Sequence, residues 1–266
     1  MEIRKHLSIK LILPLFATLL MFSACSKNGL PSQSTDLPVI DSYLVPGQPI
    51  VVKLSSQKDL ADTAVYGAPI TGVKVYISDG AQKVQLTETV KGTYTYTDPA
   101  FLVTGKTYSL QFNYLSYNVS ASTVMPAKPV NFSSQYGGIT VVSQGGPGSN
   151  NSVLNTFAWA NPDSLNHVIV FKAAPAVPIT NFGRTVSLNS QYNTNRASMF
   201  NVTAPMFSYK GQYQVILFRV NQEYINLLNI NSRTTSQDLS QVPTNIVNGF
   251  GIFTAMQADT LAFNVY

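Results

Sequence analysis

Nucleophilic catalysis needs a hydroxyl or thiol with a base beside it. The chain has two histidines, His6 and His167, and a single cysteine, Cys25. His167 opens the apolar run His167-Val168-Ile169-Val170-Phe171, so the expectation is a histidine held within a sheet and not a catalytic base. A Gly-x-Ser-x-Gly nucleophile elbow is missing. The cluster Gly145-Gly146-Pro147-Gly148 lacks the Lys-Ser/Thr pair that grips phosphate. Zinc would have to rest on carboxylates and one histidine. The nearest acidic pairs, Asp36 with Asp41 and Asp59 with Asp62, lack the alternating ligands of a calcium loop. These residues therefore predict no catalytic group, no metal ligand and no cofactor. A pair of carboxylates for glycoside hydrolysis stays open, because spatial pairing is not written in spacing.

Binding is the chemistry left. Aromatic residues make up 11% of the chain, many of them Tyr, and Asn and Gln are plentiful. Sugar-binding proteins stack rings on aromatic faces and hold hydroxyls with amides, but Tyr also favours sheets for packing alone. Trp159, inside Thr156-Phe157-Ala158-Trp159-Ala160, reads as a core residue. The segment Gln191-Tyr192-Asn193-Thr194-Asn195 shows no strand pattern, and Gln191, Tyr192, Asn193 and Asn195 are the candidates for an exposed contact loop.

Charged residues are 11% of the 266, with 17 Lys/Arg against 12 Asp/Glu, while 45% are apolar. That composition opposes disorder, and without a basic run it gives nucleic acid no footprint. Arg4, Lys5 and Lys10 precede an apolar run over residues 11–22, too short to span a bilayer and suited to a signal-peptide core. The run ends in Phe22-Ser23-Ala24-Cys25, which resembles the lipobox of bacterial lipoproteins, with Phe22 in place of the usual Leu. The resemblance implies cleavage after residue 24 and lipidation of Cys25, hence attachment to a membrane through acyl chains. An ordinary cleaved signal leaving a free thiol is the alternative. Cleavage would remove three Lys/Arg and one acid, leaving 14 and 11, a nearly neutral chain.

The elements that must carry any site are strands. Residues 25–37 are small, polar and unpatterned, a flexible tether. From Pro38 apolar residues alternate with polar ones, as in Val73-Lys74-Val75-Tyr76-Ile77 and Tyr108-Ser109-Leu110-Gln111-Phe112. Asp79-Gly80 predicts a type I′ hairpin, and about seven short strands fit between residues 38 and 125. Gly105-Lys106-Thr107-Tyr108 has the spacing of a tyrosine corner, or simply of a strand Tyr. The stiff Pro126-Ala127-Lys128-Pro129 follows. Beyond it strands are predicted over 130–134, 139–143, 153–160, 167–173, 212–220 and 260–266. A short helix begins at Asn221, with Glu223 in its first turn and Tyr224, Leu227 and Leu228 on one side. The chain is thus expected to be mostly β. An N-terminal immunoglobulin-like or transthyretin-type β-sandwich (residues 38–126) precedes a second β-rich domain with a short helix (residues 127–266), behind a signal (1–24) and tether (25–37).

Several stretches resemble one family: residues 38–50, Pro69 to Gly80, Gly92-Thr93-Tyr94, Gly105 to Tyr108, Glu223 to Leu228, and above all Asn245-Ile246-Val247-Asn248-Gly249-Phe250-Gly251-Ile252-Phe253. They are similar to the Bacteroidota lipoproteins classed as a domain of unknown function and often encoded beside TonB-dependent receptors. The resemblance implies a lipid-anchored outer-membrane protein, accessory to such a receptor in nutrient uptake, and brings no catalytic residues. A structural or adhesive surface lipoprotein without a small-molecule ligand is the alternative. Surface-exported members of that phylum often carry acids just after the lipidated Cys. Here none comes before Asp36, which leaves surface and periplasmic orientations open. Asp62-Thr63-Ala64 and Asp163-Ser164-Leu165 resemble an O-glycosylation acceptor of some of these bacteria, making Thr63 and Ser164 candidates. Asp259-Thr260-Leu261 fits the same short pattern by chance.

Overall fold

Period-two alternation becomes strand through most of residues 37–57, 67–141, 152–179, 188–231 and 244–266, which the computed structural model describes. The expected signal segment (residues 1–24), Cys25, Asp36, Asp59, Asp62, Thr63 and the glycine cluster at 145–148 lie outside these residues. The first half forms β1 (Pro38–Leu44), β2 (Ile50–Ser56), β3 (Tyr76–Ser78), β4 (Lys83–Gln85), β5 (Thr87–Val90), β6 (Thr93–Tyr96), β7 (Thr107–Tyr114) and β8 (Tyr117–Val124). Then follow β9 (Val130–Ser134), β10 (Gly138–Ile139), β11 (Val153–Ala160), β12 (His167–Pro178), β13 (Asn189–Asn193), β14 (Met199–Thr203) and β15 (Tyr209–Val220). Helix α1 (Gln222–Asn231), β16 (Ile246–Val247) and β17 (Phe250–Val265) follow, and a short 3-10 helix (Ala204–Met206) lies between β14 and β15. The chain is mostly β, two sandwiches with one short α-helix among the described residues.

A nine-stranded sheet in the order β13-β12-β15-β17-β1-β2-β6-β5, with β10 beside the end of β17, serves both sandwiches. The five-stranded sheet β16-β8-β7-β3-β4 packs on its first part, and the three-stranded sheet β14-β11-β9 on its second. Strand β17 joins the two. Residues 250–255 pair in parallel with β1, and residues 256–265 pair antiparallel with β15. Side chains alternate faces along a strand, so the odd residues of β17 share one face. Phe253 and Ala255 enter the first core and Phe263 and Val265 the second. Between them Gln257 and Asp259 mark where neither core reaches.

The cores divide along the chain near residue 126, but the last segment returns to the first. Ile246, Phe253 and Ala255 pack with Ile40, Val52, Tyr108 and Leu110. Residues 36–266 consequently form one compact unit. Helix α1 covers the opposite face of the shared sheet, where Ile225 is buried with Val168, Val220 and Met256. Its packed side is Tyr224, Ile225 and Leu228, with Ile225 deeper than Leu227.

Two local expectations resolve differently. Tyr108 is a tyrosine corner: its hydroxyl donates to the Phe101 carbonyl at 2.8 Å and accepts the Val103 amide at 2.6 Å. The Asp79-Gly80 turn is not type I′, which needs positive φ at both central residues. Only Gly80 has it, at 91°. Asp79 instead closes a longer loop, its carboxylate accepting the Ala81 and Gln82 amides at 3.0 and 2.7 Å, the Asx-turn habit of Asp. The hydrogen-bonded ion pair with Lys106, and then those amide bonds, lower its pKa to about 2.

Candidate functional site

Where the two partner sheets part, the shared sheet is left partly uncovered, and an open cleft of about 570 Å³ forms there. Gln257 ties the first sandwich to the shared sheet, its amide donating to the Pro126 carbonyl at 2.8 Å and to the Thr104 hydroxyl. Val124, Met125, Pro126 and Ala127 make an apolar wall from the end of β8. Val124 remains 47% exposed, so this wall is open to a ligand.

The facing wall comes from the second sandwich and is polar. Asn161 organises it. Its Oδ1 accepts the Leu165 amide at 2.9 Å, and its Nδ2 reaches the carbonyls of Leu165 and Arg196 at 3.0 and 2.9 Å. One side chain thereby locks the 161–166 loop to the turn after β13. In that turn Asn195 and Arg196 have φ of 51° and 64°, and the Ala197 amide bonds the Thr194 carbonyl at 3.0 Å. This is the φ signature of type I′, which Asn tolerates and Arg adopts only under constraint. The constraint is visible: Arg196 Nε donates to Asn166 Oδ1 at 3.1 Å and Nη2 to Gln222 Oε1 at 3.2 Å. Arg219, the last polar residue of β15, lies in the same cleft.

The junction is held by a buried polar cluster beneath this wall. Thr123 of β8, 5% exposed, donates to Glu223 Oε1 at 2.7 Å, and fully buried Thr254 of β17 donates to the same oxygen at 3.1 Å. Asn221 Nδ2 lies 2.8 Å from the Val124 carbonyl and 2.9 Å from Thr123 Oγ1. Asn221 does stand before the helix, where its carbonyl takes the Tyr224 amide at 3.2 Å. Its side chain serves the other sandwich.

His167 is 2% exposed. Its Nδ1 meets the Leu165 carbonyl at 3.1 Å, and the Trp159 ring lies 5.6 Å away. Burial, and then the charge of Arg219, push its pKa below the ordinary value, against the opposing pull of the Leu165 carbonyl. Among the described residues no carboxylate or hydroxyl side chain bonds its ring. Trp159 lies in the second core, as its sequence context implies. Among the described residues no three His, Cys, Asp or Glu gather as metal ligands, and no described helix is long and apolar enough to cross a membrane.

The proposed contact loop is corrected. Gln191, Tyr192 and Asn193 belong to strand β13, paired with Val170, Ile169 and Val168 of β12. Tyr192 packs on Phe200 and Phe171 at 5.3 and 6.1 Å, and Gln191 bonds the Tyr224 hydroxyl of α1 at 3.2 Å. The strand was hidden because its polar face is satisfied by neighbours and its single aromatic does the packing. Asn193 accepts the Asn195 amide at 2.9 Å, and of the four only exposed Asn195 stands in a turn, next to Arg196 of the cleft lining. Ser164 is exposed at the cleft rim with φ of 49°. Arg196 and Arg219 were missed. The signal for Arg219 was present in Val215-Ile216-Leu217-Phe218-Arg219-Val220, where a lone cation interrupts an apolar strand.

No protein-family model and no curated protein matches the chain. Among solved structures, the FN1–FN3 domains of chicken CNTN1 match at 14% identity and a TM-score of 0.29, over 70% of this chain and 59% of that one. The chain thus spans about three fifths of that structure's length. DIP-gamma IG1+IG2 matches at 11% identity and a TM-score of 0.20, over 87% of this chain and 99% of the other. The sandwich architecture stated above rests on the strand pairings themselves.

Proposed function

We propose that this is a lipid-anchored binding protein of the outer membrane that assists a TonB-dependent receptor in nutrient uptake, and that it is not an enzyme. The observation that carries the binding reading is the open junction cleft, with an apolar wall from one sandwich and a polar wall from the other. Preformed clefts with one apolar side and a few convergent polar groups are the usual form of small-molecule sites. The polar cluster around Thr123 and Glu223 fixes the two walls relative to each other, which favours binding over a flexible spacer role. The anchor rests on Cys25 and its apolar leader, and the receptor on the family resemblance of residues 245–253 and the other matching stretches.

A tagged pulldown from detergent-solubilised envelope, with proteins identified by mass spectrometry, tests the receptor role. Stoichiometric recovery of a TonB-dependent receptor is expected. Recovery of the chain alone, under detergents that keep other envelope complexes intact, would move the reading to a structural or adhesive lipoprotein. The Cys25→Ala chain should stay unprocessed and leave the membrane fraction; full membrane retention would count against lipidation.

A further inference from the structure

We propose that the junction cleft binds a small ligand through an anionic group, a carboxylate or phosphate, seated between Arg196 and Arg219 with the ligand's apolar part against Val124 and Pro126. The assignment rests on the chain being a binding protein, and not on its having a receptor partner.

Both arginines among the described residues line this one cleft, and neither is ion-paired with a described carboxylate. The ion pairs that are formed use Lys106 with Asp79 and Lys128 with Asp259. A guanidinium carries five donors in a planar fork that matches the two oxygens of a carboxylate or phosphate. Arg196 spends only Nε and Nη2 on Asn166 and Gln222, so its orientation is set while donors remain. This arrangement is pre-organised, because holding the side chain beforehand removes part of the entropy cost of binding. Arg219 is half-buried at the strand end and makes no side-chain hydrogen bond to a described residue. Its guanidinium is open to the cleft and has no described side-chain partner. An anion would supply one.

The other charge in the cleft is Asp163, exposed on the 161–166 loop. With two guanidinium groups against one carboxylate the lining keeps a net positive charge. The cleft's volume falls in the range of small-molecule sites, about 300–1,000 Å³. The exposed Val124 opposite selects a ligand with a short apolar part over a bare inorganic anion.

Calorimetric titration of the full chain in detergent micelles, with empty micelles as blank, tests this using hexanoate, hexyl phosphate and hexanamide. At least one of the two anions should bind tenfold or more tightly than the neutral amide, and the tighter anion names the headgroup. Arg219→Gln should weaken that anion at least fivefold and leave hexanamide unchanged. Arg196→Asn should act likewise, and it guards against misfolding because Asn accepts positive φ readily. A second readout is the imidazole resonance of His167. An anion against Arg219 cancels part of the positive field on that ring, so the tighter anion at saturation should raise its pKa in the wild type and not in Arg219→Gln. Neither anion binding more tightly than hexanamide, no heat from any probe, or an unchanged affinity for the tighter anion in both folded variants would overturn the proposal. Receptor recovery without anion binding would remove this assignment alone, whereas anion binding without a receptor would remove only the receptor role.

Discussion

The side-chain amide of Asn245 pairs with both main-chain polar groups of Phe253: its Oδ1 accepts the Phe253 amide at 3.1 Å and its Nδ2 donates to the Phe253 carbonyl at 2.6 Å. Asn245 thereby stands in for a strand residue beside β17, and its Nδ2 also lies 3.3 Å from the Ser122 carbonyl of β8. The sequence signature at 245–253 is thus explained as architecture. Asn248 holds a φ of 56° and donates to the Asn118 carbonyl at 2.8 Å, and Gly251, at φ 94°, lies against the backbone of Ile40.

Asn245→Ala should remove about 2–4 kcal/mol of stability, because two main-chain groups beside buried Phe253 lose their partners. Urea unfolding with an unchanged m-value is the expected result. A loss below about 0.5 kcal/mol would mean that water replaces the amide without cost.

Gly251→Ala should cost at least about 3 kcal/mol or abolish folding. A Cβ there would fall 1.9 Å from the Ile40 carbonyl oxygen, in a positive-φ conformation. Gly47 shares the positive φ, at 79°, but has nothing within 4 Å. Gly47→Ala should therefore cost only about 1 kcal/mol. Equal unfolding midpoints for the two variants would refute the steric argument.

Tyr108→Phe should destabilise by about 1–3 kcal/mol, since the Phe101 carbonyl and the Val103 amide both lose the corner hydroxyl. The ring stays in the core, so near-ultraviolet circular dichroism should remain native-like in shape while the thermal midpoint falls.

Residues 37–126 expressed alone should not unfold cooperatively. They lack β17, the parallel partner of β1, and Ile246, Phe253 and Ala255 of the first core. Dispersed amide resonances and a sigmoidal denaturant transition from that fragment would show that the first sandwich closes without the C-terminal strand.

His167 predicts a pH dependence. Its folded pKa lies below the ordinary 6.5 because burial and Arg219 disfavour the cation. The unfolded chain therefore binds the proton first as pH falls, and stability declines from about pH 6.5 downward until the lowered folded value is passed. The slope from this one group cannot exceed about 1.4 kcal/mol per pH unit. Urea midpoints at pH 7.5 and 5.5 should differ in the wild type and differ less in His167→Gln. An equal difference in both would assign the dependence to other groups.

Much of the local structure was legible in the sequence. The strands at 130–134 and 153–160 follow from period-two alternation, and the tyrosine corner from one Gly-to-Tyr spacing, because both are set by interactions a few residues apart. The helix after Asn221 was readable for the same reason, and so was a buried role for His167 and Trp159.

What tertiary structure alone decided is which distant residues meet. Ile40 lies beside Gly251, Thr123 bonds Glu223, and Asn166 reaches Arg196 and Gln222. These partners are separated by 30 to more than 200 positions, and a hydrogen bond between them leaves no periodic trace in sequence. The odd face of β17 carries the pattern apolar, polar, apolar at Phe253–Gln257–Phe263, yet its meaning depends on two other sheets ending there. The cleft is the space between elements, so its walls were fixed by packing and not by any one segment.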